Sequence, residues 1–153
     1  MKKYELTAEF IEKWGKKLFR IKALISFGSV EAGELGGYVE KEDNLAQNGN
    51  AWVCGDARVC GNAEVYGNAD YLLIGRIGSR FSFTTFFKNK DKGITVSCGC
   101  FLGTIAEFRA KVTDTHGNNK HAKIYNLAAD MAELQILGEE HFDKLNTNKS
   151  EPF

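Results

Sequence analysis

The chain has 153 residues and a mass of 17.0 kDa, the size of one domain or of one and a half tightly joined pieces. Twenty lysine and arginine residues balance 20 aspartate and glutamate residues, so no overall charge attracts nucleic acid or an anionic membrane. No stretch approaches the ~20 apolar residues of a membrane span, and the N-terminus lacks a signal-peptide core, so we expect a cytoplasmic protein.

Residues 1–36 are predicted to form an N-terminal cap. The first part reads as two strands or a short helix around Gly15. Its apolar side chains available for packing are Leu18, Ile21 and Leu24. The stretch "SFGSVEAGELGGYVE" is rich in glycine and irregular, which is typical of a lead-in to the next unit.

A six-residue repeat follows, from Gly49 to Asp70, and reads "GNAWVCGDARVCGNAEVYGNAD". Each unit begins with Gly, continues with Asn or Asp and then Ala, and ends with a variable residue, a residue that is usually Val, and a second variable residue. Ala and Val alternate with polar or larger residues, so each unit is a short strand, and the Gly-Asn or Gly-Asp pair supplies a corner. The positions predicted to point inward are Ala51, Val53, Ala57, Val59, Ala63, Val65 and Ala69.

Short strands and corners at constant pitch predict a left-handed parallel β-helix over residues 37–78, in a mainly β fold. The repeat resembles that of the hexapeptide-repeat family, in which about three units make one triangular coil. Regular repetition over residues 44–72 would give one and a half to two coils. A run of hairpins is the alternative, but its strands would be too short to pair well.

The remaining positions of the repeat are predicted to face outward. They include Trp52, Cys54, Cys60, Tyr66 and Leu72. This set is too apolar to leave in water on a monomer, so the sequence predicts a homo-oligomer. Because a three-sided coil suits a three-fold axis, we expect a trimer.

Residues 79–140 are predicted to form a C-terminal α+β cap. The segments "RFSFTTFF" and "GITVSCGCF" flank the turn "KNKDKG" and predict a hairpin. Thr104 and Glu107 have the spacing of a capping box, which starts a helix that ends at Gly117. A second helix from Lys120 to Leu137 carries one apolar side, formed by Ile124, Leu127, Met131 and Leu134. Residues 141–153 read as a polar tail.

The four cysteines are predicted to be free thiols. Cys54 and Cys60 lie one repeat apart, and Cys98 and Cys100 form C-x-C on a predicted strand, where they read as core. Neither pair has the C-x₂-C spacing typical of zinc sites, and no histidine is near them in sequence. The sequence therefore predicts neither a metal site nor a cofactor.

A candidate ligand site lies where the repeat joins the C-terminal cap, in "IGRIGSRFSFTTFFK". Its basic and hydroxyl-bearing residues are Arg76, Ser79, Arg80, Thr84, Thr85 and Lys88. Guanidinium groups, hydroxyls and exposed backbone N–H groups are what an anion or phosphate site needs, although the segment is not a P-loop. His116 and Asn118, from "THGNNKHA", complete the candidate set. The alternative is that the arginines cap the β-helix and pair with carboxylates.

No residue is predicted to be catalytic. Acyl transfer from acetyl-coenzyme A, the reaction that a hexapeptide repeat suggests, needs a base beside the acceptor. The histidines are His116, His121 and His141, and none lies in the repeat. His116 is better explained as a cation at a helix end. An acyltransferase is therefore the alternative rather than the main hypothesis.

Several strings beyond the repeat, in this order, resemble small proteins encoded by bacteriophages and prophages. They are "AGELGGYVEKEDNL", "IGSR", "TTFF", "VSCGCFLGTIAEF" and "THGNNKHA". The resemblance implies a non-catalytic accessory binding protein in the host bacterial cytoplasm. It would inhibit a bacterial anti-phage defence system by binding a host protein or by sequestering a small phosphate-bearing ligand. A structural protein that polymerises end to end is a second alternative, weakened by the caps predicted at both ends.

Overall fold

The structure is a computed structural model that describes residues 2–141. Sheet 1 holds four strands in the order of the chain: β1 (Tyr4–Lys13), β2 (Lys16–Ala23), β3 (Leu35–Val39) and β4 (Arg58–Val59). Sheet 2 holds β5 (Tyr71–Ile77), β6 (Ser82–Lys88), β7 (Ile94–Cys98) and β8 (Phe101–Thr104). Two helices follow, α1 (Ile105–His116) and α2 (Lys120–Ala132), and α2 runs on into a π-helical turn (Glu133–Leu137).

The predicted left-handed parallel β-helix is wrong. Sheet 2 is antiparallel throughout, and β2 pairs antiparallel with both β1 and β3. Parallel pairing within residues 2–141 is confined to β3 with β4 and to one bridge between Leu45 and Val65. The repeat is too short to build a stack of its own, and it forms a single two-residue strand, β4, at the edge of sheet 1, which is mixed.

Apart from the bridge between Leu45 and Val65, the backbone of the repeat bonds to β3 and to the end of β6. On one side, the N–H groups of Tyr38 and Glu40 donate to the carbonyls of Ala57 and Val59 at 2.9 and 3.1 Å. On the other side, the Glu64 N–H donates to the Lys88 carbonyl at 2.9 Å. Both edges of the short repeat are therefore covered by other parts of the chain.

The side-chain pattern of the repeat was predicted better than its backbone. Six of the seven positions expected to face inward are fully or almost fully buried: Ala51, Val53, Ala57, Val59, Ala63 and Val65. Ala69 is exposed. The outward set is wrong in part, because Trp52 and Cys60 belong to the same buried cluster. Cys54 and Tyr66 are exposed, and Leu72 is half-buried.

The start of the chain is tied to this repeat by buried polar contacts. The Lys3 ammonium donates to the Ala51 carbonyl at 2.6 Å, and the Tyr4 hydroxyl donates to the Leu45 carbonyl at 2.6 Å. The Gln47 side chain accepts from the Lys3 N–H at 2.8 Å and donates to the Tyr4 carbonyl at 3.2 Å. Burial lowers the pKa of Lys3 and raises that of Tyr4.

Sheet 2 is the central layer of the fold, because both of its faces are buried. Phe87 packs into the cluster formed with sheet 1 and the repeat, whereas Phe86 packs into the cluster formed with the helices. Successive strand residues point to opposite faces, so these adjacent phenylalanines anchor the two clusters. The layers are sheet 1 with the repeat, then sheet 2, then the helices.

The start of α1 follows the prediction in detail. Thr104 Oγ1 accepts from the Glu107 N–H at 3.2 Å, and the Glu107 carboxylate accepts from the Thr104 N–H at 2.8 Å. The helix is followed by Gly117, whose φ of +60° suits glycine. Arg109 joins the helices by pairing with Asp130, at 2.7 Å, and with Glu133.

The face through which α2 packs differs from the predicted one. Its buried residues are Ala122, Tyr125, Ala128, Ala129 and Ala132. Leu127, Met131 and Leu134 are exposed instead. Small alanine side chains let the helix lie close to the sheet, and the sequence pattern alone did not reveal that alanines rather than leucines form the contact face.

Two further predictions concern the ends of the chain and its N-terminal cap. Leu18 and Ile21 are buried as expected, whereas Leu24 is exposed. The predicted polar tail lies outside the described residues except for His141. Within residues 2–141 no helix combines the length and the apolar character that crossing a membrane requires.

We expect Val59→Asp to unfold the protein or to lower its melting temperature steeply. Val59 is fully buried at the centre of the cluster around the repeat, and an unpaired carboxylate there would cost roughly several kcal/mol. The control is Ala69→Asp at the exposed inward position of the same repeat. Circular dichroism melting of both variants is the measurement, and equal melting temperatures would contradict the burial pattern.

We expect the Cys60 thiol to resist alkylation in the folded protein. Burial raises the pKa of Cys60 to about 11, so the reactive thiolate is scarce at mildly alkaline pH. Cys54 and Cys100 are exposed and should react first. Mass spectrometry after a brief iodoacetamide pulse measures the order, with urea-unfolded protein as the reference. Labelling of Cys60 as fast as Cys54 in folded protein would contradict the prediction.

Candidate functional site

A cleft of about 260 Å³ opens between sheet 1 and sheet 2, and we call it the inter-sheet cleft. Its charged and hydroxyl-bearing lining residues are Asp56, Arg58, Arg76, Ser82, Thr85 and Ser97. The others are Trp14, Phe83, Cys98 and Gly99. These residues come from five separate parts of the chain, which meet only because the two sheets pack face to face.

Aromatic rings form two walls of the cleft. Trp14 occupies the turn between β1 and β2, where its φ of +53° is unusual for a bulky residue. Its indole N–H donates to the Cys100 carbonyl at 3.0 Å, which fixes the ring against sheet 2. Phe83, on β6, forms the second wall and has the Arg76 guanidinium over its ring at 5.3 Å from the centroid.

Two guanidinium groups give the cleft its charge. Arg58 lies on β4 and Arg76 lies on β5. Among residues 2–141, no carboxylate lies within 4.0 Å of either group. Asp56 is the carboxylate of the lining, so the three charges leave a net positive cleft. Guanidinium groups without a carboxylate partner nearby are suited to bind a carboxylate or a phosphate of a ligand.

Two buried hydroxyls hold the Arg58 backbone in place. The Arg58 N–H donates to Thr85 Oγ1 at 3.1 Å, and Ser97 Oγ donates to the Arg58 carbonyl at 2.9 Å. Thr85 therefore retains its hydroxyl hydrogen, which is able to donate to a ligand. Since Thr85 and Ser97 lie on paired strands, sheet 2 sets the position of Arg58 directly.

Cys98 lines both this cleft and a smaller cavity of about 110 Å³ beside the helices. Its thiol accepts from the Thr84 hydroxyl at 3.1 Å. Burial, with a smaller contribution from the nearby Cys98 thiol, raises the pKa of Tyr125 to about 12. Tyr125 is therefore a neutral phenol at physiological pH. The prediction that Cys98 and Cys100 are core residues is wrong for Cys100, which is exposed in a turn.

Two of the eight predicted ligand residues, Arg76 and Thr85, line the inter-sheet cleft. Ser79 and Arg80 are exposed in the turn between β5 and β6 and lie outside its lining. Thr84 is adjacent to Thr85 on β6 and is bonded to Cys98. Lys88 lies at the far end of β6, 4.0 Å from the Asp70 carboxylate.

His116 and Asn118 lie on the helix side of sheet 2. His116 lines the smaller cavity and stacks on Tyr125, with ring centroids 5.9 Å apart. Asn118 is exposed between the helices. The eight residues therefore do not form one site, because strand alternation and the thickness of sheet 2 separate them. No group of three or more potential metal ligands occurs among residues 2–141.

The sequence interpretation missed most of the cleft. Trp14, Asp56 and Arg58 come from segments distant from β6, and sequence alone gave no reason to join them. Phe83 could have been included from the sequence, since it lies two positions from Thr85 on the same strand and so shares its face. The sequence indicated Arg58 more weakly, as a charged residue between the inward-facing Ala57 and Val59.

Comparison of the chain with protein-family models and with curated proteins finds no match. The resemblance to phage-encoded hexapeptide-repeat proteins therefore stays a prediction, and the chemistry of the inter-sheet cleft is the basis for assigning a function.

We expect Thr85→Val to destabilise the protein by about 1–3 kcal/mol, because the buried Arg58 N–H would lose its acceptor without a change in side-chain shape. Urea denaturation monitored by circular dichroism measures this loss. The control is Ser79→Ala, which removes an exposed hydroxyl outside the cleft. Equal stabilities for both variants and the parent would contradict the structural role of Thr85.

Proposed function

We propose that the protein is a non-catalytic binding protein whose inter-sheet cleft takes a small phosphate- or carboxylate-bearing ligand. The observation that carries this proposal is the pair of guanidinium groups, Arg58 and Arg76, that line the cleft without a carboxylate within 4.0 Å among residues 2–141. Two positive charges that line one cleft are stabilised when an anion binds in it.

The geometry of Arg58 and Arg76 favours a ligand over a purely structural role. The Arg58 backbone is held on both sides by Thr85 and Ser97, and the Arg76 guanidinium lies over the Phe83 ring. The Arg58 backbone and the Arg76 guanidinium are therefore held in place before a ligand arrives, which lowers the entropy lost on binding. Arg109, which joins the two helices, is instead paired with two carboxylates.

The size and composition of the cleft indicate the ligand class. Its volume of about 260 Å³ is slightly below the roughly 300–1,000 Å³ of pockets for drug-sized ligands. The indole of Trp14 supplies an aromatic surface, whereas Ser82 and Thr85 supply hydroxyl groups. A small molecule that joins an anionic group to a planar ring, such as a nucleoside monophosphate, matches this combination.

The cleft lacks a nucleophile–base pair, which is why we propose binding rather than catalysis. Its one thiol, Cys98, is bonded to the Thr84 hydroxyl, and no histidine lines the cleft within the described residues. His116, the base considered for acyl transfer, lies on the helix side of sheet 2. Nothing in the geometry favours the acyltransferase alternative.

Sequestration is the role that such a cleft would serve in the biological setting implied by the resemblance. A phage protein that removes a small phosphate-bearing signal from the host cytoplasm needs affinity and abundance but no turnover. Binding of a host defence protein is the alternative mode of action. Native mass spectrometry of the protein purified from infected host cells distinguishes the two, because a bound small molecule and a bound protein differ in mass.

The direct test is titration with inorganic phosphate, citrate and adenosine monophosphate, followed by tryptophan fluorescence. The chain has two tryptophans, and Trp52 is buried in the core, so a ligand in the cleft should alter the emission of Trp14. We expect one of these probes to bind with a Kd below millimolar. Arg76→Gln should weaken that binding by about tenfold or more, since it removes a charge-assisted hydrogen bond.

The matched control is Arg80→Gln, an exposed arginine four residues away that does not line the cleft. It should leave the affinity unchanged, and Trp14→Phe should abolish the fluorescence change without abolishing binding measured by calorimetry. We expect no binding of acetyl-coenzyme A. Equal losses in Arg76→Gln and Arg80→Gln, or no binding of any of the three anions, would overturn the proposal.

A further inference from the structure

The second helix and the π-helical turn that follows it carry an apolar stripe that the fold leaves uncovered within residues 2–141. Leu127 is 65% exposed, Met131 48% and Leu134 41%, and the half-buried Ile124 precedes them. The other exposed large apolar side chains lie singly on five different segments: Phe10, Leu24, Leu35, Tyr66 and Phe81. We call Ile124, Leu127, Met131 and Leu134 the α2 stripe.

The fold does not use the α2 stripe to hold the helix in place. Alanines on another face of α2, together with Tyr125, make the contact with sheet 2 and α1. Large side chains would add to stability only if they were buried, so three exposed ones on adjacent turns need another explanation. A contiguous apolar patch on a helix surface is typical of an interaction site.

The spacing of the α2 stripe is that of a coiled coil. Ile124, Leu127 and Met131 follow one another on α2 at intervals of three and four, as the a and d positions of a heptad do, and Leu134 comes three residues later, in the π-helical turn. When two such helices pack antiparallel, a positions meet d positions across the interface. Ile124 would then face Leu134 of the second copy, and Leu127 would face Met131 of the second copy, so that all four positions are filled.

The charges at the two ends of the helix fit the same arrangement. Lys120 and Lys123 lie in the first turn of α2 and are exposed, whereas Glu139 and Glu140 follow Gly138 at its other end and are also exposed. An antiparallel pair places the lysines of one copy beside the glutamates and the negative helix end of the other. A parallel pair would bring like charges together at both ends.

We infer from this charge complementarity and heptad spacing that the α2 stripe binds a second copy of this chain, as an antiparallel two-fold dimer. Asp130 would lie close to the two-fold axis, but its carboxylate is already paired with Arg109 at 2.7 Å, which neutralises it. The dimer replaces the three-fold contact expected from the repeat, because Trp52 and Cys60 of that contact are buried inside the chain.

A single pair of short helices buries less than the roughly 1,200–2,000 Å² of a standard stable interface. The dimer should therefore be reversible, with a Kd in the micromolar range. Sedimentation equilibrium from low to high micromolar concentration should show the mass rising from that of a monomer toward twice that value. A mass that stays monomeric over the whole range overturns the inference, including the case in which the chain's own residues cover the stripe.

Leu127→Glu tests the position of the interface. The change places a carboxylate in the middle of the α2 stripe and should raise the dimer Kd at least about tenfold. Glutamate is a good helix former, so the fold should be retained, which circular dichroism confirms. The matched control is Leu35→Glu, at a leucine that is 52% exposed on β3. Dissociation by both variants alike would overturn the inference.

Charge reversal tests the antiparallel orientation. Lys120→Glu should weaken the dimer, because in this register Lys120 faces Gly138 of the second copy, next to its two glutamates. Adding Glu139→Lys and Glu140→Lys to the same chain should restore it. A parallel dimer predicts no such rescue, since the lysines and glutamates would then lie at opposite ends. Failure of the triple variant to regain the parental Kd would overturn the antiparallel arrangement.

Discussion

The architecture depends on the burial of sheet 2 on both faces. A strand that is solvated on one side can shift or fray at little cost, but Phe86 and Phe87 are both fully buried, in different clusters. A register slip of one residue in β6 would exchange them and disrupt both clusters together. The antiparallel pairing of β5, β6 and β7 is fixed by this requirement. It also fixes Thr85 and Ser97, which in turn hold the Arg58 backbone.

The six-residue repeat shows how far local pattern determines structure. Alternation of Ala and Val correctly identified six of the seven inward side chains as buried, because burial depends on the period of the sequence, but it missed the burial of Trp52 and Cys60. The strand partners were predicted wrongly, because pairing depends on which edges compete for the same N–H and C=O groups. In this chain, β3 with the adjoining Glu40 and the end of β6 bond to those groups of the repeat in place of further coils.

The same distinction explains the outcome for the candidate site. Arg76 and Thr85 were found because they share one segment, and residue type there was informative. Trp14 and Arg58 were missed because their proximity to β6 results from tertiary packing of sheet 1 on sheet 2. The helices show the same difference between local and tertiary features. The capping box of Thr104 is local and was predicted correctly, whereas the contact face of α2 depends on tertiary packing and was predicted wrongly. Apolar side chains at helical spacing identify a face that can be buried, but they do not reveal whether the same chain or a partner buries it.

The buried contacts of Lys3 and Tyr4 have a consequence for the order of folding during synthesis. Their acceptors belong to residues 42–51, so these two side chains, unlike the β1 backbone that pairs with β2, lack their partners until the segment 38 to 48 residues further along has been made. Contacts so distant along the chain slow folding, because a long loop must close before they form. A nascent chain on the ribosome would therefore carry an incompletely bonded first hairpin until the repeat emerges from the exit tunnel. Lys3 and Tyr4 therefore complete their native contacts only after the repeat, which is translated later, has been made.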